Sequence, residues 1–370
     1  MTAVSYTLLI NNTPAGSDLL EALQQIEVEE HASLANMLRL KFAIGVSQDG
    51  SSWQIVDEDM FARLTPLSLL VTVGTGLPTP LINAYVIETS LNVSNEPGQS
   101  TLTVVAMDGT ILMNLEEKIR AWPDMADSDI ASLVFGEYGF MPDVDRSQPL
   151  RQENDLTTIQ HGTDIYFLRQ LARRNGYECY VAVNELTTLT EGHFHLPRLD
   201  QTPQSALTVR MGDATNVNSL QARFDMMQPT TVEAAGLAIG SQADQSANIS
   251  GATHTNLGSD STLNGSQRRV RLLNQAGLAE TGELQTRAQA TVDESTWAIT
   301  AQGDLDTTAY GDILRARRPV LVRGAGQQFS GTYYVDSVQH LITTDSYTQQ
   351  FSLRRNAIGL QGTEYFGGDS

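Results

Sequence analysis

The chain holds a single cysteine, Cys179, in 370 residues. No disulfide can form within it, which points to folding in a reducing compartment. Its setting, Tyr177-Glu178-Cys179-Tyr180-Val181, reads as a strand and makes the thiol a buried structural group rather than a nucleophile. Charge is also scarce and one-sided. Charged residues make up 18%, below the usual quarter, and 43 acidic against 23 basic residues leave a formal net charge of −20. Phosphate backbones need clustered Lys and Arg, so direct nucleic-acid binding is not expected. The only basic clusters are Gln267-Arg268-Arg269-Val270-Arg271 and Arg315 to Arg318. The acidic excess serves solubility, or lines a channel through which an acidic cargo slides without sticking. No run of eighteen apolar residues occurs, and the first residues lack a basic stretch followed by an apolar one. The expectation is therefore no membrane span and no cleaved export signal.

Motifs for chemistry are missing too. Gly74-Thr75-Gly76 and Gly324-Ala325-Gly326 lack the third glycine and the acidic ribose partner of a dinucleotide site, so they read as turns. There is no phosphate loop and no nucleophile elbow. His193-Phe194-His195 puts two imidazoles on one strand face, but a metal needs a third ligand, and Glu191 and Asp200 are only nominal candidates. His31, His161 and His340 stand alone. Asp143-Val144-Asp145 opens like a calcium loop, then offers Gln148 where glycine is needed and Asn154 in place of the closing glutamate. Carboxylate pairs such as Glu27 with Glu29 and Asp127 with Asp129 arise easily among so many acids. No catalytic residue, cofactor or metal is expected.

What the chain does have is a repeat. Leu70-Val71-Thr72-Val73 runs into Gly74-Thr75-Gly76, then to Tyr85-Val86 and a return strand, Thr101 to Val105. About 250 residues later Val320-Leu321-Val322-Arg323 runs into Gly324-Ala325-Gly326, then to Tyr334-Val335 and a return strand, Gln350 to Leu353. Each copy reads as strand, glycine turn, strand, polar turn, strand. The predicted fold is α+β and mainly β, with two similar small antiparallel barrels and an inserted helical and mixed domain.

Along the chain this predicts a first barrel over residues 1–109, with strict alternation in Leu38 to Ile44 and a turn at Asn95-Glu96-Pro97-Gly98. A helical and mixed domain follows over 110–208. One helix is capped by Asp127 or Ser128, carries Ile130, Leu133, Val134 and Tyr138 and stops at Gly139; a stronger one runs from the N-cap Thr163 to Gly176. Strands over 209–238 lead toward the second barrel. The Gly-, Ser- and Asn-rich stretch 239–267 reads as a long exposed loop. Residues 268–303 add a helix from Glu283 to Asp293, with Leu284, Ala288 and Val292 in line, and a strand from Trp297. The second barrel spans 304–360, and 361–370 reads as a loose tail.

Three stretches resemble the late control protein D family, the hub proteins of contractile phage tails and contractile injection systems. The first is Leu38-Arg39-Leu40-Lys41-Phe42 with the first barrel copy, including Gly74, Gly76, Tyr85 and Val86. The second is Thr157 to Ala172 continuing to Glu178, with Gly162, Asp164, Phe167, Leu168, Leu171, Ala172 and Gly176 as its signature. The third is Gly324 to Val335, followed by His340, Tyr347 and Phe351 to Asn356, with Gly324, Gly326, Phe329, Gly331, Tyr333, Tyr334, Val335 and Phe351. The resemblance implies a structural protein without catalysis, a homotrimer between a six-fold inner tube and a three-fold spike. Two equivalent barrels in each of three protomers present six similar surfaces to such a tube. It also implies assembly in the bacterial cytoplasm alongside other baseplate proteins. Two departures stand out. Arg315-Ala316-Arg317-Arg318-Pro319 replaces the family's frequent Pro-Gly step, and no spike repeat follows residue 358, so the spike is expected as a separate chain. The alternatives are a hub-associated peptidoglycan-degrading enzyme, which requires two carboxylates in a cleft, and a secreted adhesin, which requires an export signal.

Overall fold

The computed structural model describes residues 4–45, 55–56, 59–96, 98–147, 157–238, 243–265, 269–278 and 281–362. Its centre is one 13-stranded sheet. The first half of that sheet comprises β1 (Val4–Ile10), β2 (Leu23–His31), β3 (Met37–Ala43), β4 (Pro66–Val73), β5 (Thr79–Asn92) and β6 (Thr101–Met107). They bond in the order β2-β3-β6-β5-β4-β1. Alternation in β3 buries Leu38, Leu40 and Phe42 completely and turns Lys41 to solvent. These side chains meet Leu8, Leu67, Leu69, Val71 and Val104 in one core.

The mixed domain contains α1 (Asp127–Glu137), β7 (Met141–Val144), α2 (Asp164–Asn175), β8 (Glu178–Val183) and β9 (Thr190–His195). Its core holds Trp122, Phe135, Phe140, Phe167, Leu168, Leu171, Cys179 and Phe194. Burial pushes the Cys179 thiol up to about 12, which suits the inert role read from its neighbours. The start of α1 differs from expectation. Ala126 is its N-cap without a side-chain bond, because Asp127 is taken by Arg174 and Asn175 at the end of α2. Leu133 is 51% exposed, so the buried stripe passes instead through Ala131 and Phe135. In α2 the predicted bounds hold, Gly176 closing it in the left-handed region at φ 70°. The Thr163 hydroxyl bonds Asn114 rather than capping the helix.

The chain then returns to the main sheet with β10 (Gln204–Thr208) and β11 (Ser219–Phe224). A small layer follows: β12 (Thr230–Ala238), β13 (Asp244–Ile249), β14 (Arg269–Leu278) and α3 (Thr281–Ser295). Leu284, Ala288 and Val292 of α3 pack on Val232 and Ala234. Stretch 239–267 is thus not one exposed loop. Asp244 to Ile249 pairs with β12, Asp260–Ser261 pairs with Ala357–Ile358, and Leu257 and Leu263 are buried. Small side chains hid the pattern, since Ala247 and Ile249 alternate inward between polar neighbours. Residues 239–242 and 266–267 of that stretch lie outside the described residues, as do Arg268, Pro97 of the predicted turn and 363–370 of the predicted tail.

The second half is completed by β15 (Ile299–Asp306), β16 (Pro319–Arg323), the one-turn α4 (Gly326–Phe329), β17 (Gly331–Thr343) and β18 (Tyr347–Arg355). Its strands run β11-β15-β18-β17-β16-β10 around a core of Ile299, Leu305, Val320, Val322, Tyr333, Val335, Phe351 and Leu353. The unit therefore draws on Gln204 to Thr208 and Ser219 to Phe224 as well as on 304–360. The halves share one sheet through antiparallel pairing of β17 with β2, from Ser337 opposite His31 to Thr343 opposite Gln25. The architecture is mainly β with large antiparallel sheets, as expected.

Candidate assembly interface

The two halves correspond strand for strand. Pro66 stands opposite Tyr85 in the first, and Pro319 stands opposite Tyr334 in the second. One residue after each tyrosine the register slips, between Val86 and Glu88 and again between Val335 and Ser337. A bulge at the same point re-aims the outer half of both long strands. The equivalence extends outward: β6 matches β18, β3 matches β15, and β2 matches β11. β1 and β10 occupy corresponding outer places, but β1 runs antiparallel to its neighbour and β10 parallel.

One pairing breaks the symmetry. In the second half, Ser337 to Thr343 of β17 bonds β18 on one side and β2 on the other. In the first half, Glu88 to Asn92 of β5 bonds β6 only, among the described residues. The matching strand with one open side is β11, which among the described residues bonds β15 alone. Both are open edges with free backbone groups. Apolar side chains accompany them: Ile87 is 37% exposed, Leu91 46% and Val93 53%.

The signature glycines and aromatics are held by close local contacts. Gly324 has φ +82°, and a Cβ there would stand 1.9 Å from the Val209 carbonyl oxygen. At Gly331, φ +129°, a Cβ would meet Arg355 Nη2 at 2.5 Å. Gly74, Gly162 and Gly326 also have positive φ, while Gly76 does not. Asp164 accepts from Lys118 Nζ at 2.5 Å, Tyr138 at 2.6 Å and Gln160 at 2.7 Å. Burial would raise its carboxyl, but these bonds and the Lys118 charge hold it below its ordinary value. Ala172, Val335 and Phe351 are buried, Tyr85 is half-buried, and Phe329 packs against the second core from α4. Tyr334, which as an apolar-patterned aromatic of the second repeat is expected to anchor that barrel's core, does not do so. It faces away from that core into a seam with Ala32, Leu199, Leu257 and Trp297, and its hydroxyl donates to Glu178 Oε2 at 2.6 Å. Tyr333 is the core residue of the pair.

Two charge clusters tie the units together. Arg315, in the segment that departs from the family pattern, reaches Glu30 at 2.7 Å and donates to the carbonyls of Pro80 and Leu81. Burial opposes the charge on Glu30, yet Arg315, His340 and the Ala316 N–H hold its carboxyl far below the usual range. In the second cluster Arg354 meets Glu178 at 2.7 Å and lies over the rings of Trp297 and Tyr334. Burial raises Glu178, and the same is true of Asp108 and Glu294. Glu178 is engaged by Tyr334 and Arg354, and Asp108 by Asn36 and Thr110. Both therefore act as structural acceptors.

A third cluster was only half visible in the sequence. β7 runs parallel to β9 and sets Asp143 opposite His193. Asp143, rather than Glu191 or Asp200, is the carboxylate that joins the histidine pair. The His193 bond first, then the charges around it, lower the Asp143 carboxyl to about 2, while burial pulls His195 down to about 4. His195 is a buried strand residue at 2% exposure. Among the described residues no helix is long and apolar enough to cross a membrane.

The Alg8 N-terminal domain family matches residues 3–344. The chain belongs to that family. No match was found among curated proteins. Among solved structures, this Alg8 N-terminal domain resembles the tail protein of Neisseria meningitidis MC58 at TM-score 0.66 and 10% identity, over 95% of this chain and 97% of that one. It resembles the 43 kDa tail protein of prophage MuSo2 from Shewanella oneidensis at TM-score 0.65 and 13% identity, over 95% and 98%. A third likeness is the E. coli c3393 protein, described as a type VI secretion component similar to bacteriophage T4 tail proteins, at TM-score 0.59 and 11% identity over 98% and 79%. The fold is that of phage tail and baseplate hub-like proteins, as the sequence resemblance implied.

Proposed function

We propose that this chain is the baseplate hub of a contractile tail or contractile injection particle. Three copies form a ring, the first half of each docking the six-fold inner tube beside the second half, with a separate three-fold spike beneath. The observation that carries this reading is the broken symmetry of the sheet. β17 has β2 as its partner within the chain, whereas the equivalent β5 and β11 each present a free edge. Pairing β5 of one copy with β11 of the next repeats between chains the join already made inside one. The contact is head to tail, so it propagates until the ring closes, and three two-unit copies give six similar units.

The internal pairing fixes the register of the proposed one. His340 lies opposite Val28 and Gln339 opposite Glu29. Their counterparts are Leu91 opposite Ala222 and Ser90 opposite Arg223 of the next copy. The acidic surface suits a passage for cargo rather than a nucleic-acid grip. Mechanical linkage needs no catalysis, and the role is structural. Partners are a second and third copy, the inner tube protein, the spike and other baseplate proteins, with assembly in the bacterial cytoplasm before incorporation into the particle.

The test is paired cysteines, Leu91→Cys with Ala222→Cys and, separately, Ser90→Cys with Arg223→Cys. On oxidation after assembly at least one pair is expected to give covalent trimers, while the out-of-register pair Ser90→Cys with Gln221→Cys gives none. A monomeric mass for the protein inside assembled particles would sink the reading.

A further inference from the structure

We propose that Asp143, His193 and His195 form a binding site for one divalent transition-metal ion of the zinc type. The site is independent of the hub reading. It arises from the strand arrangement: β7 and β9 pair in parallel with Asp143 opposite His193, and the two-residue period of β9 returns His195 to the same face. Asp143 Oδ2 lies 3.1 Å from His193 Nδ1 and 3.7 Å from His195 Nε2, and the three donor atoms fall within 4.8 Å of one another. An ion held tetrahedrally at about 2.0–2.1 Å separates neighbouring donors by about 3.3 Å. The cluster needs adjustments of only a few tenths of an ångström along the two measured edges.

The surroundings of the donors are those a metal site uses. His195 Nδ1 is 2.7 Å from the Leu196 carbonyl oxygen, so that nitrogen carries the proton and Nε2 turns its lone pair toward Asp143. On His193 the outer nitrogen, Nε2, lies 3.6 Å from Glu191 Oε2, a carboxylate placed to take its proton when Nδ1 binds an ion. Arg198 Nη2 faces the other oxygen of Asp143, at 3.5 Å, and bonds Asp145 at 2.9 Å, leaving Oδ2 to the histidines. The Tyr180 hydroxyl, 3.3 Å from His195 Nε2, need only turn its hydrogen away. The Asp143 side chain is 47% exposed, which gives an ion a way in, and an adjoining cavity of about 160 Å³ leaves room for a water as fourth ligand. Two imidazoles and one carboxylate select zinc or its neighbours over calcium and magnesium. A bound ion would lock β7 to β9 close to Arg317, which stacks on Tyr180 at 3.9 Å.

Full-length protein stripped with a chelator is titrated with ZnCl2 by calorimetry, and separately with CoCl2 while visible absorption is recorded. One equivalent of zinc per chain, a raised melting temperature and the intense visible band of four-coordinate cobalt are expected. Asp143→Asn and His193→Gln should each weaken zinc binding at least tenfold and remove the cobalt band, while a cooperative metal-free melt shows that each variant is folded. His161→Gln should alter neither. Zinc binding that survives both ligand substitutions, or no binding at about a hundredfold excess of ion over protein, overturns the proposal.

Discussion

Arg315 and Glu30 close an ion pair across the two halves of the sheet, Nη2 to Oε1 at 2.7 Å, with side chains only 11% and 2% exposed. Such a pair is costly to break one partner at a time, because the survivor is left charged and desolvated. Glu30→Ala is expected to lower unfolding stability by about 3–5 kcal/mol, read from urea denaturation. Replacing both partners with apolar residues should cost less than either single change.

Acid should act through the same pair. The folded-state carboxyl of Glu30 is depressed, so its contribution is complete above the unfolded value of about 4.3 and is lost as pH falls below that toward the folded value. Between about pH 4 and pH 2 the wild-type urea midpoint should therefore fall more steeply than that of Glu30→Gln. Parallel curves would remove Glu30 as the acid-sensitive group.

Three glycines of the second repeat offer a graded series. Gly326 has φ +76° with nothing within 4 Å of a built Cβ, so Gly326→Ala meets only the left-handed backbone penalty, about 1–2 kcal/mol. Gly324→Ala adds a collision with the Val209 carbonyl oxygen, and Gly331→Ala one with the Arg355 guanidinium. Both should destabilise more than Gly326→Ala, Gly324→Ala most, since backbone moves less readily than the end of a side chain.

Tyr334→Phe removes the donor to the buried Glu178 carboxylate and should cost about 1.5–3 kcal/mol. Tyr333→Phe removes a bond to the Phe329 carbonyl and should cost about 1 kcal/mol. Thermal melting of the two variants, side by side, ranks the seam against the core.

At the open edges a charge test separates assembly from folding. Ser90→Lys places a like charge opposite the exposed Arg223 in the proposed register and should yield monomers with unaltered melting temperature. Ser90→Glu places an opposite charge there and should keep the trimer by light scattering. Equal masses for the two variants would remove the register.

Much of the fold was legible because apolar periodicity was strong where burial was deep. Leu38, Leu40 and Phe42 alternate cleanly, and Ile165, Leu168, Leu171 and Ala172 mark α2 between Thr163 and Gly176. The repeat was visible through its glycines and its Tyr-Val steps. Its full extent was not, since β2 and β11 share no motif and correspond only through their partners. Residues 244–249 escaped because alanine, serine and asparagine carry little hydrophobic contrast, although three of the six turn inward. Leu133 misled in the opposite direction, an apolar residue on the solvent side of α1. The Asp143 cluster could not be assembled from spacing at all. Fifty residues separate Asp143 from His193, and only the parallel pairing of β7 with β9 brings them together.

The seam between β2 and β17 has a consequence for how the polypeptide acquires its shape. Gln25 and Thr343 are neighbours in space but some three hundred positions apart along the backbone. A contact that distant forms late, because loop closure has to precede its reward. On the ribosome β2 emerges early and waits, one flank bare, for a partner still to be translated. During that interval the bare flank is open to the same kind of strand addition that we assign to the ring, so the order of synthesis sets when a nascent protomer stops being able to join itself to the wrong neighbour.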